Sequence, residues 1–82
     1  MGELYVYGHT VTEEIQVALL SKMKSGPFKA SELEAEGVRL GLPTLSAHRE
    51  PVAMRVADRI IQRERKAGRI ELKRPYWVWR GE

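Results

Sequence analysis

Cysteine is absent from this chain, which excludes disulfides, thiolate metal sites and a cysteine nucleophile. Histidine is scarce. His9 and His48 stand alone, neither with a helical partner histidine, so the expected number of metal sites is none. No run approaches the ~20 apolar residues needed to cross a bilayer. The stretch Met1-Gly2-Glu3-Leu4-Tyr5 has no basic segment leading into an apolar one, so no export signal is read there. A cytoplasmic protein without a membrane partner is the expectation. Enzymatic signatures are missing too: there is no Gly-x-Ser-x-Gly, phosphate loop or dinucleotide fingerprint. Glu32, Glu34 and Glu36 alternate along a helical stretch and so point apart, which suits a solvated face better than a carboxylate pair. Neither catalysis nor a cofactor is expected.

What the chain does have is charge, unevenly placed. The net charge of +3 hides an asymmetry between the halves. Residues 1–41 carry four bases (Lys22, Lys24, Lys29, Arg39) against six acids, whereas residues 42–82 carry ten bases against five acids. A positive charge gathered at one end sets up a field that steers anions. With 82 residues and 43% hydrophobic content, the chain reads as one domain, 1–82, able to build a core without staples.

Leu4-Tyr5-Val6-Tyr7 is β-prone and Gly8 ends it, predicting a short strand. Thr10 or Thr12 caps the first helix, Thr10 with Glu13 matching a capping box, and Val11, Ile15, Ala18, Leu19 and Met23 follow helical spacing to about Lys24. Ser25-Gly26-Pro27 breaks that helix, and Phe28 is placed to plug the core from the connection. Ser31-Glu32-Leu33-Glu34 is a second capping box. It opens a helix that ends at Gly37 or runs on to Leu40, with Gly41 and Pro43 as the stop. Residues 41–50 read as a loop, and Pro51 suits the first turn of a third helix because its missing N–H does no harm there.

That third helix is the most informative segment. Val52, Ala53, Val56, Ala57, Ile60 and Ile61 cover one broad side. At about 100° per residue, Arg55, Arg59, Gln62 and Lys66 align on the opposite side, with Arg63 at the boundary. Gly68 stops the helix. Arg69-Ile70-Glu71-Leu72 and Tyr76-Trp77-Val78-Trp79-Arg80 then alternate around a turn at Lys73-Arg74-Pro75. If the register permits, Ile70 and Leu72 share an inward face with Trp77 and Trp79, which are read as core filler.

Three helices, the third running into a two-stranded hairpin, resemble a winged helix-turn-helix domain from about Thr12 to Arg80. The run Val56-Ala57-Asp58-Arg59-Ile60-Ile61-Gln62-Arg63-Glu64-Arg65-Lys66-Ala67-Gly68-Arg69-Ile70 is similar to a family recognition helix passing through its closing glycine into the wing. Ala30-Ser31-Glu32-Leu33 resembles the opening of the second helix. The chain departs from the common form between helices two and three, where Gly37 or Gly41 to Pro51 exceeds the usual turn of about 3–4 residues. The fold class implied is α+β, a three-helix winged helix-turn-helix with a C-terminal hairpin wing and a short N-terminal strand.

The resemblance implies that helix 51–67 enters the major groove of double-stranded DNA while the wing, 72–76, grips the backbone or the minor groove. Arg55, Arg59 and Gln62 are then assigned to base edges, and Arg63 and Lys66 to phosphates. Lys73 and Arg74 suit phosphate or a narrow minor groove, and Arg49, with His48, backbone just before the helix. A small transcriptional regulator is the expected function, alone or as a homodimer. The rival expectation is a protein-interaction adaptor that binds no DNA, presenting Glu32, Glu34 and Glu36 or a free strand edge near Leu4 to Tyr7 to another protein.

Overall fold

The computed structural model describes residues 2–44 and 51–81. It is an α+β fold of three helices and two small antiparallel hairpins. In chain order these are β1 (Leu4–Val6), β2 (His9–Val11), α1 (Glu13–Lys24), α2 (Ala30–Arg39), α3 (Val52–Lys66), β3 (Ile70–Lys73) and β4 (Tyr76–Trp79).

The expected N-terminal strand is half of a hairpin. Leu4 faces Val11 and Val6 faces His9 across the β1–β2 pair. Tyr7 and Gly8 form the turn with φ of 52° and 81°, the paired positive values that a tight two-residue turn requires. Gly8 therefore reverses the chain where the sequence pattern had read an end. Val11, expected on the first helix, belongs to β2 and is fully buried there. Its period-two partner His9 is exposed, so three residues were too few to display an alternation.

Thr12 caps α1, its Oγ1 accepting from the Ile15 N–H at 3.3 Å. Thr10 lies in β2, so the Thr10–Glu13 capping box does not form. The second helix starts two residues early, at Ala30 after the N-cap Lys29, and its capping carboxylate is Glu32, which accepts from the Lys29 N–H at 2.7 Å. The Ser31–Glu34 pairing is displaced by this nearer acid. Of the two ends considered for α2, the longer is nearly realised: the helix runs through Gly37 to Arg39. Gly41, at φ 104°, turns the chain back so that the Leu42 N–H reaches the Gly37 carbonyl at 3.0 Å. Gly37 is needed for approach rather than for a turn: a Cβ on it would stand 3.0 Å from Leu42 Cδ1.

Helix α3 is the axis of the core. Val52, Ala53, Val56, Ala57, Ile60 and Ile61 are all buried, together with Leu33 of α2 and Leu19 and Met23 of α1. Pro51 precedes the first helical residue, and the Pro43 carbonyl accepts from the Ala53 N–H at 3.0 Å. The start of α3 is thus satisfied by backbone from the α2–α3 connection. Its end is closed by Gly68 at φ 76°, with the Arg69 N–H bonded to the Glu64 carbonyl at 3.0 Å.

The second hairpin follows at once. Ile70 faces Trp79 and Leu72 faces Trp77, with Arg74 and Pro75 at the turn; Ile70 is buried but Leu72 is exposed, so the expected shared inward face is only half realised. Phe28 fills the core, and its backbone also pairs with β4. The Phe28 N–H donates to the Trp77 carbonyl at 3.0 Å, and the Trp77 N–H donates back at 2.8 Å. The α1–α2 connection is thereby sewn to the hairpin as a third, one-residue strand. Trp77 and Trp79 are half-buried against the core, and the Lys24 ammonium lies 5.1 Å from the centroid of the Trp79 ring.

Candidate nucleic-acid interface

Burial around α3 divides the helix cleanly. Residues 52, 53, 56, 57, 60, 61 and 64 face inward. The remaining arc carries Arg55, Asp58, Arg59, Gln62 and Lys66, which with Arg63 line an open depression of about 390 Å³. At 1.5 Å per residue this ridge extends about 16 Å from Arg55 to Lys66.

The cations of the ridge are in different electrostatic situations. Arg59 and Lys66 are exposed and have no ion pair or hydrogen bond among the described residues. Arg55 donates from Nη1 to Asp58 Oδ2 at 3.1 Å. Gln62 accepts from Arg65 Nε at 3.0 Å through Oε1, leaving its amide nitrogen available as a donor. On the hairpin, Lys73 stands 3.6 Å from Glu71, a weak surface pair, while Arg74 is exposed at the turn. Lys29, beside the hairpin, holds its ammonium 5.3 Å from the Tyr76 ring centroid.

Arg63, expected to meet a phosphate, is engaged by protein groups. Its Nη1 donates to Gln16 Oε1 at 2.9 Å and its Nε to Glu64 Oε2 at 3.0 Å. The reason is Glu64, an acid on the buried side of α3 and 2% exposed. A buried carboxylate requires counter-charge, and Arg63 supplies it jointly with Arg69, whose Nε donates to Glu64 Oε1 at 2.5 Å. The Arg69 hydrogen bond is the largest influence holding the Glu64 carboxyl below its ordinary value; burial opposes it and Arg63 assists. Gln16, also fully buried, extends the network through Nε2 to the Val11 carbonyl at 3.2 Å and the Gly2 carbonyl at 2.7 Å. One polar chain thus joins the N-terminal hairpin, α1, α3 and the start of β3.

Neither Gln16 nor Glu64 was singled out from sequence. A signal for Glu64 existed: it sits four residues after Ile60 and three after Ile61, on the continuation of the apolar stripe. Arg49, assigned to the DNA backbone, lies with His48 outside the described residues.

The acidic surface on which the adaptor expectation rested is partly occupied. Glu36 is paired with Arg39, which lowers its carboxyl pKa chiefly through that hydrogen bond, and Glu32 caps α2. Glu34 lies in a separate groove with Ala30, Ser31, Met54, Ala57 and Asp58. Among the described residues no group of three or more His, Asp or Glu side chains could hold a metal ion, and no helix is long and apolar enough to cross a membrane. Comparison of the chain with protein-family models, curated proteins and solved structures gives no match.

Proposed function

We propose that this chain is a winged-helix domain that binds double-stranded DNA, as a small transcriptional regulator does. Helix α3 lies in the major groove, and the β3–β4 hairpin acts as the wing on the backbone or minor groove. The observation that carries the reading is the division of α3: an inner half that is apolar except for Glu64, and an outer ridge whose Arg59 and Lys66 have no protein partner among the described residues.

The element order supports the winged-helix assignment. The Phe28 bridge to β4 adds a short third strand between the first two helices and the wing. The polar latch from Glu64 to Arg69 ties the base of the wing to the last turn of the recognition helix, so helix and wing meet a duplex as one rigid surface. Direct contacts then divide by chemistry. Arg55, Arg59 and Gln62 face base edges. Lys66, Lys73 and Arg74 neutralise phosphates.

Titration of the isotopically labelled protein with mixed-sequence duplex tests this. The expected result is a set of amide shifts confined to 55–66 and 72–76. Shifts confined to 30–40, or no shift at low salt, would overturn it in favour of a protein-binding adaptor.

A further inference from the structure

Arg55 and Asp58 are the one oppositely charged pair on the outer ridge of α3 among the described residues. Arg55 Nη1 donates to Asp58 Oδ2 at 3.1 Å, one helical turn apart, with both side chains substantially exposed. An exposed pair of this kind contributes little to stability. On a surface that meets a polyanion, a carboxylate is also a liability, because it repels the phosphates that its neighbours attract. Its consequence must therefore be sought in how it orients Arg55.

Resting on the DNA-binding reading above, we propose that Asp58 is a positioning residue that makes Arg55 a guanine reader. A phosphate contact tolerates any orientation of a cation. A base contact does not, since both N–H groups of a guanidinium edge must meet O6 and N7 of one guanine together. With Nη1 held by Asp58, the Nε and Nη2 edge of Arg55 remains free and planar, and a side chain already restrained loses less freedom on binding. The second oxygen of Asp58 is free to accept from a neighbouring cytosine N4 amine, a contact that phosphate cannot mimic. Arg59 and Lys66 have no such carboxylate among the described residues. The pair thus trades general affinity for discrimination at one base position, and Arg59 contributes at another.

Selection from a randomised duplex pool with the full chain, compared for wild type, Asp58→Ala, Arg55→Ala and Arg59→Ala, tests the assignment. Wild type is expected to enrich a guanine at a defined position. Asp58→Ala should reduce that guanine preference about tenfold, at the same position that Arg55→Ala loses and a different one from Arg59→Ala. Affinity of Asp58→Ala for random duplex should hold or rise, because one negative charge is gone. Melting by circular dichroism establishes that each variant is folded. An undiminished guanine preference in Asp58→Ala, or equal losses on all sequences, overturns the proposal. If wild type binds random duplex but enriches no base, the proposal fails while DNA binding stands. If wild type binds no duplex at low salt, both fail.

Discussion

Arg69 Nε donates to Glu64 Oε1 at 2.5 Å, so the residue leading into the second hairpin is latched to the last full turn of α3. A second guanidinium, that of Arg63, meets the other carboxylate oxygen at 3.0 Å. Of the two, only the Arg69 contact crosses from α3 to the hairpin, and it restrains the angle between them. That angle decides which surface the two elements present together.

The latch sets an acid limit. Glu64 has its folded pKa below the ordinary 4.5. A carboxylate depressed on folding contributes stability that is fully present above the unfolded value and is lost as pH falls through the folded one. Wild type should therefore lose stability steadily below about pH 4.5. Glu64→Gln should be less stable by about 2 kcal/mol at neutral pH, from the lost charge-assisted hydrogen bonds. Its stability should change less between pH 5 and pH 3, both values within the carboxylate range. Urea melts across that range check this; parallel pH profiles for the two proteins would refute the role given to Glu64.

Arg63 and Lys66 both belong to the last turns of α3, yet their replacement should have opposite consequences. Arg63→Ala strands the Gln16 amide oxygen and removes one counter-charge from Glu64, so the melting temperature falls. The salt dependence of DNA binding should hardly change. Lys66→Ala should leave the melting temperature in place and make the slope of log affinity against log salt shallower by roughly one unit. Thermal melts paired with salt titrations separate the two cases.

For the wild-type protein, Arg55, Arg59, Lys66, Lys73 and Arg74 are the cations assigned to duplex contact. Three of them, Lys66, Lys73 and Arg74, are assigned to phosphates, so log affinity should fall with log salt at a slope of about −2.7. A slope indistinguishable from zero would remove the electrostatic basis of the proposed function.

Arg59 and Arg74 should differ in what they discriminate. Arg59→Ala is expected to weaken preferred sites by roughly 1–3 kcal/mol more than random duplex. Arg74→Ala should weaken all duplexes alike, because a cation at a hairpin turn meets backbone rather than base edges. Competition binding with preferred and random duplexes decides between uniform and selective loss.

Much of this arrangement was legible along the chain because its signals are local. The apolar stripe from Val52 to Ile61 declares the inner side of α3, since 3.6-residue periodicity is a property of consecutive residues. Gly68 marks the helix end, and the Arg69–Leu72 and Tyr76–Arg80 alternation predicts two strands around a turn, while the pairing of Ile70 with Trp79 is set by the fold. The outer positions of Arg55, Arg59, Gln62 and Lys66 follow from the same geometry. The N-terminal hairpin was half missed because its strands are three residues each, too short to show a period. Of the two caps left open for α1, Thr12 prevailed over Thr10; at α2 the expected Ser31–Glu34 box was misread, and Glu32 caps instead.

By itself, then, the order of residues determined which side of α3 is apolar, where the second hairpin turns, and that the positive charge gathers in the second half. Only the tertiary structure decided which charges are available. Gln16 and Arg63 are 47 positions apart, and no local pattern reports that they meet. Burying Glu64 demands compensation from whatever cations the fold brings near, and it engages Arg63 and Arg69 in ion pairs while Arg59 and Lys66 stay without a partner among the described residues. Periodicity is written in the spacing of neighbours; ion pairing depends on distances through space, which chain packing sets.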